Sequence, residues 1–297
     1  MTDQLPPDKL RLGLPSGSMQ ASTFELFGKA GFDVAVRDRG VFPTIDDENI
    51  ACVLFRAQEM SRYVVDGHID CGLTGFDWIV ENGNEQDVVE VCELVYSRAS
   101  RRPARWVLAV PNESPVQKPA DLEGGIIATE LTNVARKYFR ERGINCRVEY
   151  SWGTTEIKAR ILDGIVELTE TGSSIRANNL RIIDELLSST IRFIARREAW
   201  ENPTKREQME NIAILLQGAI LARGKVGLKM NVVESKLKDV LKFLPALKSP
   251  TVNRLADHDY VAIEVIIDEK QEREIIPRLK RAGATEIFSY PLNKIIP

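Results

Sequence analysis

Histidine is nearly missing from this chain, which carries only His68 and His258 among 297 residues. That scarcity argues against a zinc cluster and against a Ser-His-Asp site. His68, between Gly67 and Ile69 at an expected helix-to-strand junction, reads as a surface turn residue. Cysteine is sparse too. Cys52, Cys71, Cys92 and Cys146 are widely spaced, with no Cys-x-x-Cys pair, and lie in apolar or mixed segments. They read as reduced core thiols of a cytoplasmic protein rather than a disulfide framework. No apolar run approaches membrane-spanning length, and residues 1–8 are polar and proline-bearing, unlike a signal peptide. Neither sign of charge dominates: 40 Lys and Arg against 43 Asp and Glu leave a net charge of −3. A general nucleic-acid or anionic-membrane surface is therefore not expected, and any phosphate binding must be local. Hydrophobic content of 43% and charged content of 28% suit a globular chain long enough for two or three domains.

What the chain does have is a turn of small hydroxyl residues between two carboxylates. Residues 164–180 read Gly-Ile-Val-Glu-Leu-Thr-Glu-Thr-Gly-Ser-Ser-Ile-Arg-Ala-Asn-Asn-Leu. Ile165 and Val166 end an apolar run expected as a buried strand, and Ile175, Asn178, Asn179 and Leu180 fall at helical spacing. Between them, Glu167 and Glu170 bracket a turn made of Thr169, Thr171, Gly172, Ser173 and Ser174. Backbone N–H groups in a helix's first turn point into such a loop, and the helix dipole favours negative charge there. Gly172 lets the backbone come close, and four hydroxyls add donors that can wrap a phosphate. Two carboxylates beside a phosphate cradle make sense when the ligand also carries a ribose, whose hydroxyls donate to them. The plainer reading is an N-cap, with Thr171 or Ser173 satisfying orphan donors. The local pattern leaves both open.

The rest of the chain alternates strand and helix. Residues 10–14 are an expected strand, 15–18 a turn, 18–29 a helix closed by Gly31, and 32–36 the next strand. Gly17 sits at the carboxyl end of the first strand, where open α/β sheets bind ligands. Strand 52–55 runs into Arg56 and a helix at 58–65. Residues 69–77 read as a strand entering a glycine-rich turn, followed by a helix at 77–81. Asp70 and Asp77 can both be caps, Asp77 especially. Arg56 and Thr74 have the stronger functional reading, because a rigid sheet aims strand-end residues at one cleft. After a strand at 88–96 come Arg98, Arg101, Arg102 and Arg105. Of these, Arg105 stands out because it opens a strand at 106–110. A second α/β lobe follows, with strands at 125–129 and 147–150, helices at 133–142 and 155–162, and the hydroxyl-rich loop. Glu130 lies just past a strand end and Glu156 near a helix start, where each also complements a helix dipole. Residues 182–194 read as strand returning to the first lobe, and 198–221 as one long amphipathic helix with Pro203 near its first turn. From residue 225 onward the order strand, helix, strand, strand, helix, strand is that of the ferredoxin-like split unit.

Residues 70–77, Ile127-Ala-Thr-Glu130, Gly153-Thr-Thr-Glu156 and residues 167–179 together resemble the long form of ATP phosphoribosyltransferase. The ending, with Leu244-Pro, Pro250-Thr and Leu279-Lys-Arg-Ala-Gly-Ala-Thr285, extends the likeness over roughly residues 10–296. The resemblance implies an α/β fold of two periplasmic-binding-protein-like lobes (type II) plus a C-terminal ferredoxin-like βαββαβ domain. The expected division is 1–97 with 181–222, then 98–180, then 223–297. The implied activity joins N1 of the adenine of ATP to C1 of phosphoribosyl pyrophosphate (PRPP), the first step of histidine biosynthesis. Mg²⁺ is the implied cofactor, histidine an inhibitor bound to the last domain, and the chain a homo-oligomer, dimer and hexamer. On this reading Glu167, Thr169, Glu170, Thr171, Gly172, Ser173 and Ser174 hold PRPP. Gly17, Asp70, Thr74, Glu130 and Glu156 hold ATP, and Arg56 and Arg105 stabilise the leaving pyrophosphate. Adenine N1 is already a nucleophile, so positioning does most of the work. The chain departs from the family in Leu14-Pro-Ser-Gly-Ser18, a turn that usually carries a lysine and an arginine. Glu167 stands where Asp is usual, and the segment after Glu156 lacks the usual Ala-Pro and is shorter. Two other readings compete: a non-catalytic two-lobed ligand-binding or regulatory protein, and a phosphoribosyltransferase with another nucleophile.

Overall fold

Leu10, Leu12 and Leu14 are fully buried in β1 (Leu10–Pro15), a strand paired on both sides. The computed structural model describes residues 5–36, 40–96, 103–244, 250–257 and 259–297. Arg98, Arg101, Arg102, Pro245 and His258 therefore lie outside the described residues. The chain divides into two compact units, Met1–Leu216 and Gln217–Pro297.

In the first unit, β1 leads to α1 (Gln20–Ala30) and to a small ribbon of β2 (Val34–Ala35) with β3 (Thr44–Ile45). Then come β4 (Ile50–Phe55), α2 (Ala57–Val65), β5 (Cys71–Gly75), α3 (Phe76–Glu81) and β6 (Val88–Leu94). A second series follows: β7 (Ala104–Pro111), β8 (Ile126–Thr129), α4 (Thr132–Glu141), β9 (Arg147–Tyr150) and α5 (Thr155–Lys158). It ends with β10 (Gly164–Thr169), α6 (Ser173–Ala177) and β11 (Leu180–Ser189). Strand β12 (Ile191–Arg196) and helices α7 (Arg197–Glu201) and α8 (Pro203–Ala222) complete the series.

The strand order is β4-β1-β5-β12-β6 in one sheet and β9-β8-β10-β7-β11 in the other. Counted within each lobe, both orders read 2-1-3-n-4, where n is the strand laid down as the chain crosses between lobes. Each n strand, β12 and β7, runs antiparallel to both neighbours. This is the two-lobed periplasmic-binding-protein arrangement. Helices cover the sheet faces, so the strands read as near-continuous apolar runs, as in Val107, Leu108, Ala109 and Val110, all fully buried. In the first lobe Val53, Met60, Val64, Ile69, Ile79 and Ile194 make one core cluster. Trp106, Leu108, Ile127, Val134, Tyr138, Phe139 and Val166 make another in the second lobe.

Several expected elements change in detail. The strand expected at 32–36 is only Val34–Ala35, paired with Thr44–Ile45 outside the main sheets. The more apolar run from Ile50 to Phe55 takes the place beside β1. The stretch expected at 182–194 divides at Thr190 into β11 and β12, one in each sheet. The helix at 198–221 is two helices. Proline disfavours helical backbone in the residue before it, and Asn202 is accordingly extended (φ −75°, ψ 117°), with Pro203 opening α8. The helix expected at 155–162 stops at Lys158. Among the described residues no helix is long and apolar enough to cross a membrane.

The second unit contains β13 (Lys225–Val233), α9 (Leu237–Leu241), β14 (Thr251–Arg254), β15 (Tyr260–Asp268), α10 (Glu272–Ala282) and β16 (Ala284–Pro291). The sheet order β14-β15-β13-β16, all antiparallel, is the ferredoxin-like one. Alternate residues Val226, Leu228, Met230 and Val232 of β13 meet Val261, Ile263, Val265 and Ile267 of β15. Val240, Ile275 and Leu279 close this core from the helices. The period-2 alternation expected for β13 is thus what buries it.

Candidate active site

The carboxyl ends of β4, β5, β8 and β10 and the start of β7 border a cavity of about 450 Å³. Ser16, Ser18 and Arg56 line it from the first lobe, with Gly75, Asp77 and Trp78 at the β5–α3 junction. Ala104, Trp106, Glu130, Glu167, Leu168 and Glu170 line it from the second lobe, and Ser189 and Thr190 from the crossover. Among the described lining residues, Arg56 faces four carboxylates: Asp77, Glu130, Glu167 and Glu170.

Arg56 leaves β4 and takes the N-cap position of α2, with extended backbone. It passes over the turn after β1, where Gly17 has φ 78° and a Cβ would stand 2.6 Å from Arg56 Nη1. The left-handed backbone favours glycine there, and its lack of a side chain leaves room for the guanidinium. Gly75 has a similar role one strand away, since a Cβ on it would overlap Asp77 Oδ1.

Asp77 is 4% exposed. Its carboxylate accepts hydrogen bonds from Trp106 Nε1 (2.7 Å) and the Trp78 N–H (3.1 Å), while its own N–H donates to Ser189 Oγ (3.1 Å). Burial pushes its carboxyl upward, and hydrogen bonds from Trp106 and Ser189 only partly offset that. The expected capping role is thus too small. Gly75 is the N-cap of α3, and Asp77 ties a helix of the first lobe to a strand of the second.

Glu167, on β10, is half-buried. Desolvation pushes its carboxyl up to about 7; Thr155 and the Leu168 N–H stabilise the charge, and Glu156 and Glu130 oppose it. Glu156 therefore belongs to the neighbourhood of Glu167 although it does not line the cavity. Beyond Glu170 the hydroxyl loop turns outward. The Thr169 hydroxyl is buried and accepts from the Gly172 N–H at 2.8 Å. Gly172, with φ 74°, is the N-cap of α6, and the Thr171 hydroxyl accepts from the Ser173 N–H at 3.4 Å, so it satisfies one orphan donor from just outside the helix. Thr171 and Ser173 are exposed and hydrogen-bond each other at 3.0 Å. Ser174 is half-buried in the first turn. Arg176, which sequence reasoning passed over, folds back so that its Nη2 donates to the Thr171 carbonyl at 3.1 Å. Its position four residues after Gly172 is the only local signal for this.

Of the expected site residues, Arg56, Glu130, Glu167 and Glu170 line the cavity; Gly17 and the hydroxyl loop lie beside lining residues, and Asp70, Thr74 and Arg105 are engaged elsewhere. Asp70 stands at the amino end of β5, opposite the ligand-facing end. It pairs with Arg11 (2.7 Å) and Lys205 (2.7 Å). Burial raises its carboxyl, but hydrogen bonds from these two cations outweigh that and hold it below its usual range. The Thr74 hydroxyl is buried and donates to the Ala57 carbonyl at 2.7 Å, tying β5 to α2. Arg105 is not among the lining residues although its neighbours Ala104 and Trp106 are, and its Nη1 pairs with Glu185 of β11 at 3.1 Å.

Fold and site together define a two-lobed α/β protein with an acid-lined cleft and an added ferredoxin-like unit. The model of the ATP phosphoribosyltransferase family matches residues 56–218, and that of the HisG C-terminal domain matches residues 222–294. The ATP phosphoribosyltransferase of Chlorobaculum parvum is 57% identical over 288 residues, covering 97% of each chain. That of Pelotomaculum thermopropionicum is 53% identical, covering 97% of this chain and all of the other. Among solved structures, the ATP phosphoribosyl transferase (HisG:HisZ) complex from Thermotoga maritima aligns with a TM-score of 0.59 at 25% identity. It covers 70% of this chain and 96% of the other. The chain belongs to the ATP phosphoribosyltransferase family, enzymes of the first step of histidine biosynthesis. The non-catalytic alternative is set aside by this match.

Proposed function

We propose that the cavity is where PRPP and ATP react, with PRPP held from the second lobe. The observation that carries this reading is the grouping of Arg56, Glu167 and Glu170 around one cavity beside the hydroxyl loop. The 5-phosphate would lie against Thr171, Gly172, Ser173 and Ser174, with Arg176 as a nearby positive charge. Glu167 and Glu170 would accept from the ribose hydroxyls. Adenine N1 then gives its lone pair to C1 while the C1–oxygen bond to pyrophosphate breaks, and the adenine loses its extra proton to solvent. Negative charge grows on the leaving pyrophosphate, and Arg56 is the cation placed to stabilise it. Arg105, paired with Glu185 and absent from the lining, is left out of this role.

ATP would approach from the Gly17 turn and the Glu130 side. Asp70 and Thr74 support the sheet instead. No group of three or more His, Cys, Asp or Glu among the described residues is arranged to hold a metal ion. Mg²⁺ is commonly held by one or two carboxylates together with substrate phosphates, and Glu130 or Glu170 of the cavity wall would hold it with the pyrophosphate, whose charge it would offset. Histidine would act on the Gln217–Pro297 unit as inhibitor. Self-association into dimers and hexamers would be the assembly that the family likeness implies.

The test is initial-rate formation of phosphoribosyl-ATP by Thr171→Ala and Ser173→Ala proteins. A rise of about tenfold or more in the KM for PRPP, with the KM for ATP little changed, is expected. Equal changes in both constants would overturn the placement. Adding histidine to the same assay tests the inhibitor, which should suppress the rate.

A further inference from the structure

The second lobe contains a line of polar groups behind the cavity wall that the reaction scheme does not use. Ser151 follows β9, and its N–H donates to the Thr129 carbonyl at 2.9 Å, which locks it beside the end of β8. Ser151 and Thr155 are fully buried, and their hydroxyls stand 2.8 Å apart. Lys158 Nζ donates to Ser151 Oγ at 2.7 Å. At the far end, α5 packs on β10 and the Thr155 hydroxyl stabilises the charged form of the Glu167 carboxylate beside it. The turn that delivers Thr155 is strained: Thr154, a β-branched residue, sits at φ 49°, in the left-handed region such residues avoid.

The direction of this chain follows from its ends. Lys158 can only donate and the Glu167 carboxylate can only accept, so with the Thr155 proton turned to Glu167 it is the Ser151 proton that fills the 2.8 Å contact with Thr155. Each bond polarises the next, and a buried path keeps the effect from being screened by water. We infer that Lys158, Ser151 and Thr155 are positioning residues, a one-way hydrogen-bond relay that orients the Glu167 carboxylate and keeps it ionised for its sugar contact. The inference rests on the reading of Glu167 as a PRPP contact.

Glu167 needs such support because its surroundings oppose its charge. Glu156 on α5 and Glu130 beyond β8 both repel it, and burial adds to them. Glu170 lies at the end of the same strand, and Arg56 and Asp77 line the same cavity from the first lobe. Lys158 acts on it through the two hydroxyls. With its carboxyl near 7, Glu167 changes charge in the working range, so small losses in the relay become visible as shifts in pH dependence.

The experiment measures kcat/KM for PRPP across pH 6 to 9 with the full chain. Thr155→Val keeps the shape and removes the hydroxyl. The rising limb near 7 should move upward by roughly one pH unit, with a several-fold higher KM at neutral pH. Lys158→Met should move it the same way by less, and Thr155→Ser should restore the parent profile. Glu167→Gln should abolish the limb. A Thr155→Val protein that melts earlier but keeps the limb in place would overturn the relay and leave Thr155 a packing residue. A Glu167→Gln protein that retains the limb would instead overturn the placement of PRPP on Glu167, and the relay with it.

Discussion

Asp70 and Asp77 stand seven residues apart, at the two ends of one buried strand and its following turn, and both are almost wholly buried. Asp70 is given two cations, Arg11 and Lys205, and its carboxyl is held low. Asp77 is held by hydrogen bonds from uncharged groups, and its carboxyl is pushed up. The amino end of the sheet is therefore electrically closed. At the carboxyl end, where a cavity begins, Asp77 has no cation among its hydrogen-bond partners and Arg56 is set among four lining carboxylates. The same residue type is a staple at one end and part of a site wall at the other, and partners rather than burial make the difference.

The sharpest break should come from the cation on the cavity side. Arg56→Ala is expected to lower kcat by about a hundredfold or more while leaving the melting temperature close to the parent's. A large fall in stability instead would make Arg56 a structural residue like Arg11. Next in size is Asp70→Ala, which strands two partly buried cations. It should cost about 2–4 kcal/mol by denaturant unfolding, somewhat under the figure for a fully buried pair, with kcat/KM of the folded protein within about twofold. Asp77→Asn should do a little of both. A carboxamide N–H would face N–H donors, costing about 1–2 kcal/mol and lowering kcat/KM about tenfold.

The smallest effect is also the most specific. The carboxyl of Asp70 is depressed on folding, so its stabilisation is present above its unfolded value of 3.8 and lost as pH falls through the lower native value. The carboxyl of Asp77 is raised, so its contribution is most favourable below 3.8 and lost as pH rises through the higher native value. The stability gap between parent and Asp70→Ala should widen as pH rises, and that for Asp77→Asn should narrow. Gaps that move together would show that the two carboxylates share one environment.

These two residues also show how far sequence reading reaches. Apolar strands such as β1 and β10, glycine-closed helices, the βαββαβ order and the hydroxyl loop were all legible, because their signals are local and periodic. The direction in which a polar side chain spends itself was not. Asp70 finds Arg11 and Lys205 far along the chain, and no spacing rule predicts such pairs. Arg105 is well placed at a strand start, but it pairs with Glu185, eighty residues on, and nothing local announces that partner. Asp77 looked like a helix cap because its partner Trp106 belongs to the other lobe. Glu130, Glu167 and Glu170 were found because they follow or end strands whose carboxyl edge faces the cavity.

The crossing strands carry a consequence for how the polypeptide is made. β12 lies between β5 and β6, yet it is synthesised only after the whole of the second sheet. A nascent chain leaving the ribosome would hold β5 and β6 with open edges while more than eighty further residues emerge, a long-range closure of the kind that slows folding and invites wrong pairing. The lobe begun first is the lobe finished last.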